Sequence, residues 1–221
     1  MPIISHKYKL LYVPVPKNAC TSIKNFFWNL EHEEPFVPFE IKGKKYRHIH
    51  DFYPTTYFSQ ANARALEPRV RNYFKFTVIR EPIERLVSCY RNRILFHREL
   101  SLDALKQAKV RSTELLPTPD INHFIKHLKL YRVASKAIEH HTELQSKFIG
   151  TSLRFFDHVG RFEDINDLEA ALSGVVGSTV AFERLQTGGP PADMIDMSEE
   201  SREILYSHYE PDYLFLRGVY C

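Results

Sequence analysis

The chain is 221 residues long, 43% hydrophobic and 13% aromatic, with a formal net charge of +3. That size and apolar content suit one domain with a core of its own, running over residues 1–221. So small a charge argues against a general nucleic-acid binder, whose basic surface is concentrated, and leaves room for a local anion site.

At the N-terminus, MPIISHKYKLLYVPVPK holds only a short apolar run and lacks the apolar region of a signal peptide. No stretch approaches the length of a membrane span. The chain therefore reads as soluble, either a cytoplasmic protein of bacterial type or a luminal catalytic domain trimmed of its anchor. Residues 8–15 (YKLLYVPV) predict a buried strand. A helix is predicted from Thr21 to about Glu31, because Ile23, Phe26, Phe27 and Leu30 fall at i, i+3, i+4 and i+7. Residues 73–79 (YFKFTVI), rich in aromatic and β-branched side chains, predict a second strand. Pro82 suits the first turn of a following helix, where a missing N–H costs nothing. Ile83, Leu86, Val87, Tyr90 and Ile94 mark the apolar face of that helix. The pattern stays helical over 99–149, broken at Pro117 and Pro119. A short strand at 155–159, a helix near 164–173, a loop over 186–197 and a last helix near 198–208 follow, with Ser198 as N-cap. Strands alternating with helices predict an α/β domain with a central, mainly parallel sheet flanked by helices. Ligands of such sheets bind beyond the carboxyl ends of the strands.

The three cysteines, Cys20, Cys89 and Cys221, are odd in number and far apart, with no CxxC or Cys/His metal spacing. They read as reduced thiols, without a disulfide framework or a zinc cage.

Two strand-to-helix junctions carry anion-binding chemistry. VPVPKNACTS (13–22) runs from the first strand into the first helix. A helix N-terminus offers unpaired N–H groups and a positive dipole end. Lys17 adds a full charge, and Thr21 and Ser22 add hydroxyl donors. The glycines of a Walker loop are missing, since no glycine precedes Gly43. A surface turn with a solvated lysine and a Thr/Ser cap explains the same residues equally well. At the second junction, FTVIREPIERLVSCYR (76–91), Arg80 ends a strand and points toward the rim that holds Lys17. Its planar fork suits phosphate. Ser88 lies two turns into the helix. Taken alone, Arg80 and Ser88 read more simply as a rim salt bridge and a small packed hydroxyl.

Together these segments resemble the sulfotransferase superfamily, in particular the carbohydrate and heparan 2-O type known as family 2. VPVPKNACTSIK is similar to its 5′-phosphosulfate loop, and FTVIREPIERLVSCYRNR to its 3′-phosphate motif. FFDHVGRFEDINDLEAAL (155–172) and SEESREILYSHYEPDYLF (198–215) are similar to its later segments. Glu81 stands where the family more often has Asp or Asn, at a side chain not expected to carry chemistry. The resemblance implies a P-loop-NTPase-like fold and a sulfuryl donor, 3′-phosphoadenosine 5′-phosphosulfate (PAPS), leaving as 3′,5′-ADP, with no metal. It implies a cradle of Pro16, Lys17, Asn18, Ala19, Cys20, Thr21 and Ser22 for the 5′-phosphosulfate, with Lys17 on the sulfate and bridging oxygen. Arg80 and Ser88 would hold the 3′-phosphate. The acceptor would be a hydroxyl of a carbohydrate or glycoconjugate. A nucleotide-dependent kinase of related fold and a non-catalytic binder of PAPS or sulfated ligands are the alternatives.

Transfer to a hydroxyl calls for a base with a pKa near the working pH, which histidine meets. His48 and His50 form an H-x-H between the two motifs, as in the heparan 2-O-type enzymes, where such a pair serves catalysis. In an extended segment the two would face one side. His50 is placed ahead of His48. The rivals are His140 and His141, which diverge on a helix and precede Gln145, itself familial in look. His123 and His127 read as a polar helix face. Arg85 and Arg91 flank Ser88 and read as solvated charges, or else as lining an acidic acceptor's path. Gln186 to Gly189 reads as a flexible loop over the nucleotide.

Overall fold

The computed structural model describes residues 1–108, 110–185, 188–191 and 194–220. In chain order, β1 (Ile3–Ser5) and β2 (Leu10–Val13) lead into α1 (Cys20–His32). A hairpin of β3 (Phe39–Ile41) and β4 (Lys44–Tyr46) precedes α2 (Ile49–Phe52), α3 (Gln60–Val70) and β5 (Phe74–Ile79). Next come α4 (Pro82–Cys89) and a π-helical stretch at Tyr90–Phe96. Five short helices follow: α5 (Leu102–Gln107), α6 (Ile121–Lys126), α7 (Leu128–Ala134), α8 (Lys136–Thr142) and α9 (Gln145–Ile149). The chain ends with β6 (His158–Arg161), α10 (Ile165–Val176) and α11 (Glu199–Phe215). These elements fall into two compact units, Met1–Arg80 with Gln145–Leu185, and Glu81–Leu144 with Gln186–Cys221.

The first unit is the mixed sheet and its helices. The order is β1-β2-β5-β6, with β2, β5 and β6 parallel and β1 antiparallel at the edge. Every side chain of β2 is buried, as a strand covered on both faces requires. Leu10, Tyr12, Phe76 and Val78 pack with Ile23 and Phe27 of α1 and with Leu168 and Leu172 of α10. Tyr12, Phe27 and Phe76 stack with centroids 5.0 to 6.2 Å apart. Each such side chain contributes about 1.5–3 kcal/mol by leaving water. The parallel α/β arrangement expected from the alternating pattern is thus present.

The second unit is helical. Leu86, Val87, Tyr90 and Ile94 pack with Phe124, Ile125, Tyr131, Ile138, Leu205 and Tyr209, so the predicted apolar face holds although the helix widens to π at Tyr90. Ser198 caps α11 by accepting from Ser201 N–H, and the helix runs on to Phe215. In the first unit, the strand expected at 155–159 starts at His158, because Leu153–Phe155 winds into a 3-10 turn. Residues 186, 187, 192 and 193 of the expected 186–197 loop, and Cys221, lie outside the described residues. No helix among the described residues is long and apolar enough to cross a membrane.

Candidate functional site

Between β2 and α1 the chain turns without glycine. Lys17 and Ala19 take left-handed conformations, with φ of 70° and 55°. A non-glycine residue there costs on the order of 1–2 kcal/mol, and such residues gather where function holds the backbone. Ala19 is the N-cap of α1 and offers no side-chain acceptor, and the first turn holds no acidic residue. The first N–H groups of this 13-residue helix therefore face the loop with the positive end of the helix dipole behind them. Pro16, Asn18, Cys20, Thr21 and Ser22 are buried, and Lys17 and Ala19 half-buried.

One buried glutamine ties this loop to the end of β5. Gln145 Oε1 accepts from Asn18 Nδ2 at 2.7 Å and from Arg80 N–H at 3.1 Å. Its Nε2 donates to the Arg80 carbonyl at 2.7 Å. Asn18 Nδ2 also donates to the Val78 carbonyl at 2.9 Å. Arg80 lies 4.1 Å over the Phe162 ring, and its Nη1 donates to the Lys17 carbonyl at 3.4 Å. The two residues expected at one rim, Lys17 and Arg80, are therefore brought together. Ser88 belongs to the second unit, half-buried on α4.

His50 also reaches the loop. Its Nε2 lies 2.8 Å from Thr21 Oγ1, and its Nδ1 2.9 Å from the Nζ of Lys24. Lys24 is wholly buried and donates to Thr55 Oγ1 at 2.6 Å. Burial lowers its amine to about 8. The extended H-x-H segment expected here is not extended. His48 caps α2: its Nδ1 accepts from His50 N–H, while Asp51 Oδ2 accepts from His48 N–H. Polar side chains at the helix start satisfy the orphan donors, so a helix forms instead of a strand. The two rings still lie side by side, stacked at 4.9 Å. A cavity of about 230 Å³ opens beside α1, lined among others by Ser22, Asn25, Phe26, Val180 and Phe182.

The rival histidines, His140 and His141, belong to the second unit. His141 Nδ1 lies 2.7 Å from the Ala137 carbonyl and its Nε2 3.1 Å from Arg93 Nη2. His123 and His127 both engage Glu114. Arg85 is not a solvated charge: it is fully buried, donating to the carbonyls of His141 and Glu143. Arg91 Nε donates to the Pro190 carbonyl. Of the loop expected over the nucleotide, Gln186 and Thr187 lie outside the described residues. Gly189 has φ of 102°, and a Cβ there would meet the Arg91 carbonyl oxygen at 2.5 Å. Only glycine fits that close approach.

Lys24 escaped the sequence reading although it sits in the VPVPKNACTSIK segment. The signal was positional. On α1 the buried residues include Lys24, Phe27 and Trp28, while Phe26 and Leu30 are only half-buried. The buried face is thus rotated toward Lys24 from the stripe that periodicity gave.

Comparison with known proteins agrees with this geometry. Carbohydrate sulfotransferase 11 of Rattus norvegicus is 29% identical over 119 residues, 51% of this chain and 33% of that protein. Carbohydrate sulfotransferase 14 of Homo sapiens is 33% identical over 91 residues, 41% of this chain and 23% of its own length. Carbohydrate sulfotransferase 9 of Homo sapiens is 22% identical over 242 aligned residues, 96% of this chain and 51% of that protein. The chain thus spans a third or less of the first two relatives and about half of the third. No solved structure matches. The sulfotransferase family model matches residues 2–217, nearly the whole chain and both units. With a glycine-free loop at the end of a parallel strand, an uncapped helix behind it and an arginine clasped beside it, the chain belongs to the sulfotransferase family.

Proposed function

We propose that this chain transfers a sulfuryl group from PAPS to a hydroxyl of a carbohydrate or glycoconjugate, with residues 1–221 acting as one sulfotransferase domain. One observation carries the reading: the strained loop at the uncapped start of α1, clasped through Asn18 and Gln145 to Arg80. That arrangement fits an anion donor. N–H groups, the helix dipole and the Arg80 guanidinium, bonded to the Lys17 carbonyl, lie at this loop, and the first turn of α1 holds no acidic residue. The acceptor class follows the relatives, which are carbohydrate sulfotransferases.

PAPS supplies the activated sulfuryl group. The residues 16–22 hold its 5′-phosphosulfate, and Lys17 meets the charge that grows on the leaving phosphate oxygen. Arg80 binds the 3′-phosphate through its fork. Ser88 is assigned to that phosphate by the motif it shares with the family, not by a distance. His50, at Thr21, takes the proton of the acceptor hydroxyl, with His48 stacked behind it. The cavity beside Ser22, with Phe26 and Phe182 in edge contact at 5.6 Å, has room for a flat heterocycle.

Calorimetry with 3′,5′-ADP and with ATP and Mg²⁺ tests the donor, and labelled PAPS against a panel of glycans and small alcohols tests the acceptor. The expected outcome is tight binding of 3′,5′-ADP, little affinity for ATP, and label on a glycan. Preference for ATP would overturn the donor; label only on small alcohols would overturn the acceptor class.

A further inference from the structure

Lys24 is buried against a hydroxyl and an imidazole, and the imidazole belongs to the histidine assigned as base. Lys24 Nζ meets Thr55 Oγ1 at 2.6 Å and His50 Nδ1 at 2.9 Å. An ammonium group has three donors and no acceptor. While Lys24 is charged, His50 Nδ1 must therefore accept, and the single hydrogen of a neutral imidazole lies on Nε2. That hydrogen then points at Thr21 Oγ1, 2.8 Å away. In this form His50 has no lone pair at Nε2 with which to take a proton.

We propose that Lys24 is a positioning residue that decides which ring nitrogen of His50 can act as base: its ammonium keeps the hydrogen on Nε2, and loss of the Lys24 proton frees Nε2 to accept. When the pair loses one proton, a Lys24 ammonium hydrogen passes to Nδ1 and the Nε2 hydrogen leaves to solvent, so the tautomer changes without the ring moving. The hydroxyl proton of the acceptor then passes to Nε2, and the Nδ1 hydrogen stays on the ring, donated in a hydrogen bond to the neutral Lys24 amine. Desolvation holds the Lys24 amine at about 8, near working pH, where an ordinary lysine would stay charged. Other titratable groups acting on the pair include the Cys20 thiol, which favours the charged amine, the Met1 amino group, a like charge facing Lys24, and the His48 ring stacked on His50.

The inference rests on reading His50 as the base, and two measurements keep the two apart. Nitrogen NMR of the wild-type protein reports the tautomer directly, whatever the reaction. At pH 7 the Nε2–H form is expected for His50, changing as Lys24 titrates; an Nδ1–H form at pH 7 overturns the proposal even if Lys24→Met does not fold. The second measurement is the pH profile of kcat/KM for sulfuryl transfer. In the wild type the rate should rise tenfold per pH unit to a plateau near 8. In Lys24→Met the limb near 8 should be lost, because the group that sets it is gone. A limb that stays near 8 in Lys24→Met refutes the role of Lys24. His50→Gln with full turnover instead refutes the base, and leaves the tautomer result standing.

Discussion

Helices α1 and α4 follow the strands β2 and β5 in the chain, and their first turns are built in opposite ways. At α1 the N-cap is Ala19, strained into the left-handed region, with no side-chain acceptor and no acidic residue in the first turn. At α4 the N-cap is Glu81, whose carboxylate accepts from Glu84 N–H at 2.6 Å, with Pro82 at the first helical position and Glu84 in the first turn. Glu81 also accepts from the Tyr213 hydroxyl. One helix start has no carboxylate of the protein's own; the other is closed by one. Similar local topology therefore does not make two equal anion sites. At the second junction the cation is Arg80, which precedes the helix and lies with the loop of the first. Glu81, which seemed free of any duty in the sequence, is the residue that closes α4.

Four substitutions sharpen or break this contrast. The largest effect belongs to Lys17→Ala: turnover should fall about 1,000-fold, roughly 4 kcal/mol of transition-state stabilisation, while 3′,5′-ADP affinity changes only a few-fold. Steady-state rates with labelled PAPS check this, and unchanged turnover removes Lys17 from the chemistry. Arg85→Ala should do the reverse. Truncating this fully buried side chain leaves a void and two carbonyls without their donor, a loss of about 3 kcal/mol in urea unfolding. Gln145→Ala should cost about 2 kcal/mol by stranding Asn18 and Arg80, and it should weaken 3′,5′-ADP binding as well. A stability loss with intact binding would mean that the clasp holds only the fold. Glu81→Ala should cost about 1 kcal/mol as a lost cap, read as a drop of a few degrees in thermal midpoint. Glu81→Asp should restore most of it. If Glu81→Ala instead tightens 3′,5′-ADP binding, the α4 terminus is an anion site held shut, and the contrast collapses.

The pH dependence of stability offers a separate check on the second unit. Burial, then the neighbouring Arg132, brings the His208 imidazole down to about 4. The unfolded chain binds a proton near 6.5 that the folded chain refuses, so stability falls as pH drops from 6.5 toward 4. His208→Gln should flatten that slope in thermal melts.

What could be read from the sequence was what local pattern encodes. The strand at Leu10–Val13, the helix after it and the strand at Phe74–Ile79 all carry unbroken apolar periodicity, and each was placed within about two residues. The β3–β4 hairpin and α3 were missed, because Phe39–Ile41, Lys44–Tyr46 and Gln60–Val70 are largely exposed and carry no buried stripe. The loop before α1 was legible as a candidate site from residue type and position. Its long-range ties were not. Nothing local marks Gln145 as bonded to residues 65 and 127 positions away, or Lys24 as buried against His50. Arg85 misled for the same reason: a charge on an amphipathic helix looks solvated until the carbonyls at 141 and 143 are folded onto it.

The missing glycines of the loop before α1 have a thermodynamic consequence. A glycine-rich loop roams many backbone states when empty and gives them up when it closes on a ligand. Lys17 and Ala19 have few such states, and the fold already holds both in the rarest of them. The ordering cost is met during folding, so little is left to be paid on binding of an anion there. Such a loop should bind with a small entropy penalty and release product without first melting.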